Sequence, residues 1–193
     1  MSFLRCLPLA AVPFLLLAGL PLWAGEHRPQ LRPTRDVEIT YQITRPGQPT
    51  ITERVRWSAA GQVERVEGPN NLTSIFDRNA NEVTLLDGAD RTYSVLEGTP
   101  RWPMEPEPGA VLTRGVESVV AGLRCTDWSW AEDAEARIVC ATPDGVLLRL
   151  VVNGKTTVEA RSVSYALQPP ELFEIPPDYA PAFLAPESPR LFR

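Results

Sequence analysis

Histidine is almost missing: His27 is the only one in 193 residues. Imidazole is the commonest general acid–base group near neutral pH, and His27 lies in a polar, proline-bearing stretch, "EHRPQLRPTR". A Ser–His–Asp arrangement has nothing to be built from. A zinc site wants about four ligands drawn mostly from Cys and His, and the sequence cannot assemble them. No glycine-rich phosphate loop is present either. Asp127, Glu132, Asp133 and Asp144 cluster in sequence, but they fall on turns and exposed strand positions and read as solvated acids. The chain is therefore read as a non-enzyme, with no catalytic residue, no metal ligand and no cofactor assigned. Lysine is equally scarce, Lys155 alone against eighteen scattered arginines, and the net charge is −5. An acidic chain without a basic patch is a poor ligand for nucleic acid, whose affinity comes from neutralising phosphates.

Cysteine is sparse as well: Cys6, Cys125 and Cys140. Met1–Arg5 gives a short basic start, "CLPLAAVPFLLLAGLPL" an apolar middle, and Ala24–Gly25 a small-residue exit. That order is a secretory signal peptide over residues 1–24, cleaved after Ala24. Its apolar stretch is shorter than the roughly 20 residues that span a bilayer, so no stable membrane span is expected after cleavage. The expected location is periplasmic or secreted. Cys6 leaves with the signal, and two cysteines remain in an oxidising compartment, where they pair. A redox site would place them about three positions apart at a helix start; a separation of fifteen among strand signals reads as a structural disulfide.

Sustained 3.6-residue apolar periodicity is lacking too, and alternation takes its place. In "DVEITYQI", Val37, Ile39, Tyr41 and Ile43 share one face while Glu38, Thr40 and Gln42 share the other, the pattern of a half-buried strand. "TITERVRW", "QVERVE", "LTSIFD", "EVTLLD" and "RTYSVLE" continue a meander broken by turn-rich "SAAG", "RNAN" and "GAD". Residues 98–110, "GTPRWPMEPEPGA", carry too much proline for a helix or a central strand and form a long connection. "GVESVVAGL", "CTDWSW", "ARIVCA", "VLLRLVV" and "KTTVEARSVSYAL" follow, with "TPDG" and "NG" as well-specified turns. If Cys125 faces Cys140 in a hairpin turning through "AEDAE", then Trp128 faces Arg137, where the cation stacks on the ring, and Trp130 faces Glu135. The proline-rich tail should wrap over a sheet edge or face, with "PELF" as one helical turn and residues 181–193 disordered. The expected fold is a mainly β single domain over residues 36–180, preceded by a flexible lead-in at residues 25–35. It has about ten strands in one strongly curved antiparallel sheet, and little helix.

The segments "RVRWSAAGQVERVEG", "GVESVVAGLRCTDWSW", "CATPDGVLLRL" and "ELFEIPPDYAP", in that order, resemble uncharacterised exported bacterial proteins of the LolA/LolB-like lipoprotein-carrier superfamily. The matching positions include Val119, Val120 and Ala121 as the apolar centre of a strand, then Cys140, Thr142, Asp144 and Gly145, then Phe173, Pro176 and Tyr179. The resemblance implies a half-open barrel around an apolar space. Tyr41, Trp57, Phe76, Tyr93, Trp102 and Trp128 are the candidate lining. The helices that close such carriers have no counterpart, because "HRPQLRPTR" and the proline-broken connection cannot supply them. The functional expectation is a periplasmic binding protein for a lipid or acyl chain. The alternative is a module that binds another cell-envelope protein and takes no small ligand.

Overall fold

The computed structural model describes residues 28–101 and 104–182. The expected signal peptide, His27, Trp102 and most of the expected disordered tail lie outside the described residues. Twelve strands form one unclosed sheet. They are β1 (Val37–Ile43), β2 (Ile51–Ser58), β3 (Val63–Glu67), β4 (Leu72–Asp77), β5 (Glu82–Asp87), β6 (Thr92–Glu97), β7 (Thr113–Val120), β8 (Leu123–Glu132), β9 (Glu135–Ala141), β10 (Leu147–Val152), β11 (Lys155–Ser164) and β12 (Ala180–Pro181). The order across the sheet is β12-β6-β5-β4-β3-β2-β1-β11-β10-β9-β8-β7, antiparallel except where β12 runs parallel to β6. Two meanders, β1 to β6 and β7 to β11, are thus zipped together through β1 and β11. Beyond the strands, the helical structure among the described residues is limited to short 3-10 turns, including Pro170–Phe173 at the expected "PELF".

Turn chemistry explains the meander. Ala121–Gly122, Asp133–Ala134 and Asn153–Gly154 are two-residue turns with both residues at positive φ, the twist that matches two flanking strands. Asp77 and Asp87 close longer loops by accepting backbone N–H bonds from Asn79 and Ala80, and from Ala89 and Asp90. The side chain thereby mimics a backbone turn.

Three register expectations are corrected. Cys125 and Cys140 are bonded, but diagonally: Cys125 lies opposite Ser118 on β7, and Cys140 opposite Asp127. The tight turn at Asp133–Ala134 sets this register two residues from the expected one. A slip of two keeps every side chain on its face, so the cysteines still meet. Trp128 consequently faces Val139, not Arg137, and Trp130 faces Arg137, not Glu135. Ala121, expected within a strand, is a turn residue, and Val119 beside it is 67% exposed.

One face of the sheet, the inner one, carries the core. Val37, Ile39, Tyr41, Val139, Leu148 and Leu150 are all buried there. The outer face of β1–β3 is polar: Arg56 bridges Glu38 at 2.8 Å and Glu67 at 2.7 Å, and Arg65 joins Glu67 at 2.9 Å. The sheet curls far enough to bring β7 into contact with β11. Residues 28–35 are not loose. Thr34 N–H donates to the Asp144 carbonyl, Trp57 Nε1 donates to the Pro33 carbonyl at 2.8 Å, and Arg32 pairs with Glu105. The tail runs over the outer face, where Arg65 donates to the Leu172 carbonyl. Its described part reaches β12, with Ala182 N–H bonded to the Tyr93 carbonyl, so residues 181–182 lie against the β6 edge.

The disulfide closes a separation of fifteen residues, worth about 3 kcal/mol on the chain-entropy estimate. Replacing both cysteines by serine should keep the β-sheet circular-dichroism spectrum and lower the melting temperature by about 6–12 °C. An unchanged melting temperature would show that the bond contributes nothing.

Candidate functional site

The inner face is incompletely filled. A cavity of about 520 Å³ opens between β1, β2, β3, β4, β10, β11 and the connection that follows β6. Tyr41, Ile43, Val55, Val66, Phe76, Leu150, Val152 and Val158 form its sheet wall, and Pro100, Arg101 and Met104 the wall opposite. These positions share a face because alternation along each strand and the register across strands agree. Ile39 pairs with Val55, Val55 with Val66, Ile43 with Val158, and Val158 with Leu150. The volume falls in the range of about 300–1,000 Å³ typical of small-molecule sites.

The expected aromatic lining is only partly assembled. Tyr41 and Phe76 line the cavity. Tyr41 is anchored by its hydroxyl, which donates to the Leu147 carbonyl at 2.5 Å. Trp57 shares the inner face, but its indole is spent holding the lead-in through Pro33. Trp128 is core, opposite Val139. Tyr93 sits on the outer face beside Ala182, in a separate groove of about 310 Å³. Trp102 lies outside the described residues. Aliphatic, largely β-branched side chains do most of the lining, and the alternation that marks the strands is their signal.

The connection is held across the inner face by charge and by one apolar plug. Met104 is 4% exposed within the core. The Arg101 guanidinium donates to the Glu132 carboxylate and, at 2.6 Å, to the Glu105 carbonyl. Glu132 also accepts from Trp130 Nε1 at 3.0 Å, with Arg137 at 3.9 Å. The Arg101 and Trp130 bonds hold its carboxyl down to about 2. Sequence reasoning takes Glu132 for a solvated acid; its inward position on β8 makes it the anchor of the connection.

Glu64 is the site's unexpected residue. It sits on the inner face between Trp57 and Phe76, 2% exposed. Its Oε1 has no hydrogen-bond partner, and its Oε2 meets only Arg78 Nη2, at 3.5 Å. Burial pushes its pKa up to about 8 against the attraction of Arg78, so it is largely neutral at pH 7. Glu53, opposite Tyr41 on the cavity wall, is also raised by burial, with Arg45 pulling the other way. No group of three or more His, Cys, Asp or Glu able to hold a metal occurs among the described residues, and no helix there is long and apolar enough to cross a membrane.

No protein-family model matches the sequence, and no curated protein matches it. Solved structures do match in fold. An uncharacterised conserved protein from Thermus thermophilus superposes with a TM-score of 0.57 at 14% identity, over 77% of this chain and 90% of that one. The Pseudomonas aeruginosa MucA/MucB complex matches with a TM-score of 0.52 at 13% identity, over 72% of this chain and 55% of the other. A structure of MucB in complex with MucA(peri) gives a TM-score of 0.52 at 12% identity, again spanning 55% of that chain. The likeness is one of fold: a large curved sheet left open.

The two carboxyls act on stability with opposite signs. Glu64 binds a proton more tightly when folded, so stability falls as pH rises from about 4.5 to about 8 and levels off above. The slope reaches about 1.4 kcal/mol per pH unit. Glu132 binds its proton less tightly when folded, so its contribution is complete above about 4.5 and is lost as pH falls toward about 2. Urea denaturation at stepped pH should show Glu64→Gln flattening the neutral limb and Glu132→Gln flattening the acid limb. A neutral slope identical in wild type and Glu64→Gln would refute the assignment of Glu64.

Proposed function

We propose that this chain is an exported, non-enzymatic binding protein of the cell envelope. Its cavity holds an apolar ligand such as a lipid or the acyl chain of a lipoprotein, in the manner of the lipoprotein carriers that the sequence resembles. The cavity is the observation that carries this reading. An apolar space of about 520 Å³ inside a chain of this size forfeits packing that an ordinary core would gain, and a ligand restores it. Each buried methylene contributes about 0.8 kcal/mol. The sequence-level signal peptide and the bonded Cys125–Cys140 pair support an oxidising, extracytoplasmic location.

A specific feature favours a second reading. The β6 edge is capped by β12, whereas β7 ends the other side of the sheet, with Val116 69% and Val119 67% exposed. Among the described residues no strand pairs with the outer edge of β7; a strand edge with apolar side chains suits addition of a partner strand, and MucB, similar in fold, was solved in complex with MucA(peri). In that reading a cell-envelope protein is the partner and the cavity stays empty.

Native mass spectrometry of the protein purified from its own envelope separates the two. The first reading expects a co-purifying lipid, lost from Val66→Trp, which fills the cavity from a half-buried position on β3 while the fold is retained. Lipid-free protein, with Val66→Trp indistinguishable from wild type in uptake of a fluorescent fatty acid, would remove it.

A further inference from the structure

Beside the largely apolar cavity, whose lining also holds Arg45, Glu53, Arg101 and Arg137, lies a second and more polar space. A cleft of about 690 Å³ runs between the lead-in and the connection after β6. Its walls carry Arg28, Arg32, Arg78 and Arg101 with Glu105 and Glu107, a concentration of guanidinium groups in a chain whose net charge is −5. Two of the four guanidinium groups are spoken for. Arg32 pairs with Glu105 at 2.8 Å, and Arg101 with Glu132 and, at 3.6 Å, Glu107. The other two are less fully engaged. Arg28 makes no ion pair among the described residues. Arg78 meets Glu64 only at 3.5 Å and donates to the Pro100 carbonyl at 3.3 Å, and its Nε is buried with no partner. A buried donor left unpaired lowers stability, the more so where it is charged.

The two spaces adjoin. Arg101 lines both. Between them a gap of about 20 Å³ is walled by Arg32, Arg78 and Glu105 of the cleft and by Tyr41 and Val55 of the cavity. Glu64 faces that gap, with its unpartnered Oε1. A guanidinium-lined cleft touching an apolar chamber has the polarity of one amphiphilic molecule.

We propose that cleft and cavity form a single site for a single-chain amphiphile with an anionic head, phosphate or carboxylate, seated against Arg28 and Arg78, its chain in the cavity. This rests on the apolar-ligand reading above and adds the head-group chemistry. Guanidinium is suited to both head groups, because its planar fork matches phosphate and carboxylate oxygens. Burial disfavours the charge on Glu64, so Glu64 competes less with the head group for Arg78.

Isothermal titration of the signal-free chain with dodecyl phosphate, dodecanoate, dodecyl maltoside and inorganic phosphate tests it. At least one anionic amphiphile should bind about tenfold more tightly than the maltoside, a charge-assisted hydrogen bond being worth roughly that. Their ratio tells phosphate from carboxylate. Inorganic phosphate should bind far more weakly than either, since it lacks the chain. Arg78→Gln should weaken the anionic amphiphile about tenfold and Arg28→Ala about threefold, with maltoside affinity unchanged within about twofold. Arg78→Lys, which keeps the charge, should recover part of the loss, and Arg28→Ala stands as the probe if Arg78→Gln folds poorly. Equal affinities for charged and neutral amphiphiles, insensitive to these substitutions, would overturn the head-group assignment and leave the apolar-ligand reading standing. Inorganic phosphate binding as tightly as dodecyl phosphate would overturn the joint site. Failure of every amphiphile to bind would overturn both.

Discussion

An open sheet has to cover its inner face with something other than itself, and that constraint shapes the molecule. A closed barrel or a sandwich packs sheet against sheet. Here one sheet of twelve strands stays open, and no helix crosses it among the described residues. Irregular chain does the covering: the lead-in through Leu31, and the connection after β6 through Met104, both packed on the core. Irregular chain carries backbone polar groups that need partners. Prolines reduce the number of donors in the connection; Arg101 ties it to Glu132 and to its own Glu105 carbonyl, and Glu105 pairs with Arg32 of the lead-in. The same segments that hide the core therefore bring charge to its rim, which is why an apolar cavity and an arginine cleft end up side by side.

The lead-in is anchored at one turn. Thr142 to Gly145 forms it, and a β-carbon at Gly145 would overlap the carbonyl of Arg32. Glycine is needed there twice, for its positive φ and for the close approach of a second backbone. Asp144 then gathers the neighbourhood. It accepts from Thr142 Oγ1 at 2.6 Å, Arg35 Nε at 2.8 Å and the Tyr165 hydroxyl at 3.2 Å, while Arg35 stacks 3.7 Å over the Tyr165 ring. Burial alone would raise the Asp144 carboxyl, but these bonds outweigh it and hold it below the usual range. The turn looks in sequence like ordinary hairpin punctuation. In space it fixes residues 32–35, and through Arg32 it places one wall of the cleft.

Strand faces are legible because their signals are local. "VEITYQI" alternates without ambiguity, and "NG" admits few other turns. The bonded cysteines and the sheet class follow from the same kind of reading. Register is less legible: the β8–β9 turn is made by Asp133 and Ala134, and alanine at positive φ carries no sequence signature, so pairing the cysteines directly puts the hairpin two residues away. The candidate site is legible in character but not in membership. Counting aromatics picks Trp57, Tyr93 and Trp128, whose rings serve the lead-in, the outer face and the core. The apolar sheet wall of the chamber is chiefly Val, Ile and Leu, residues that every buried strand contains and that therefore stand out nowhere. Glu64 is invisible for a different reason. In "VERVE", Glu64 and Glu67 look equivalent, yet parity turns Glu64 inward, while Glu67 meets Arg54, Arg56 and Arg65 on the outer face.

That inward glutamate bears on the choice between a filled and an occupied interior. A buried carboxyl with one unbonded oxygen lowers stability. Sites that sacrifice stability in this way tend to be sites of use. The outer β7 edge offers a place for a protein partner, but a partner strand on β7 would have no need of Glu64, Arg78 or the space between them. The inward acid, the half-satisfied guanidinium and the unfilled apolar chamber lie together at the join of cleft and cavity, and one amphiphile would account for all three.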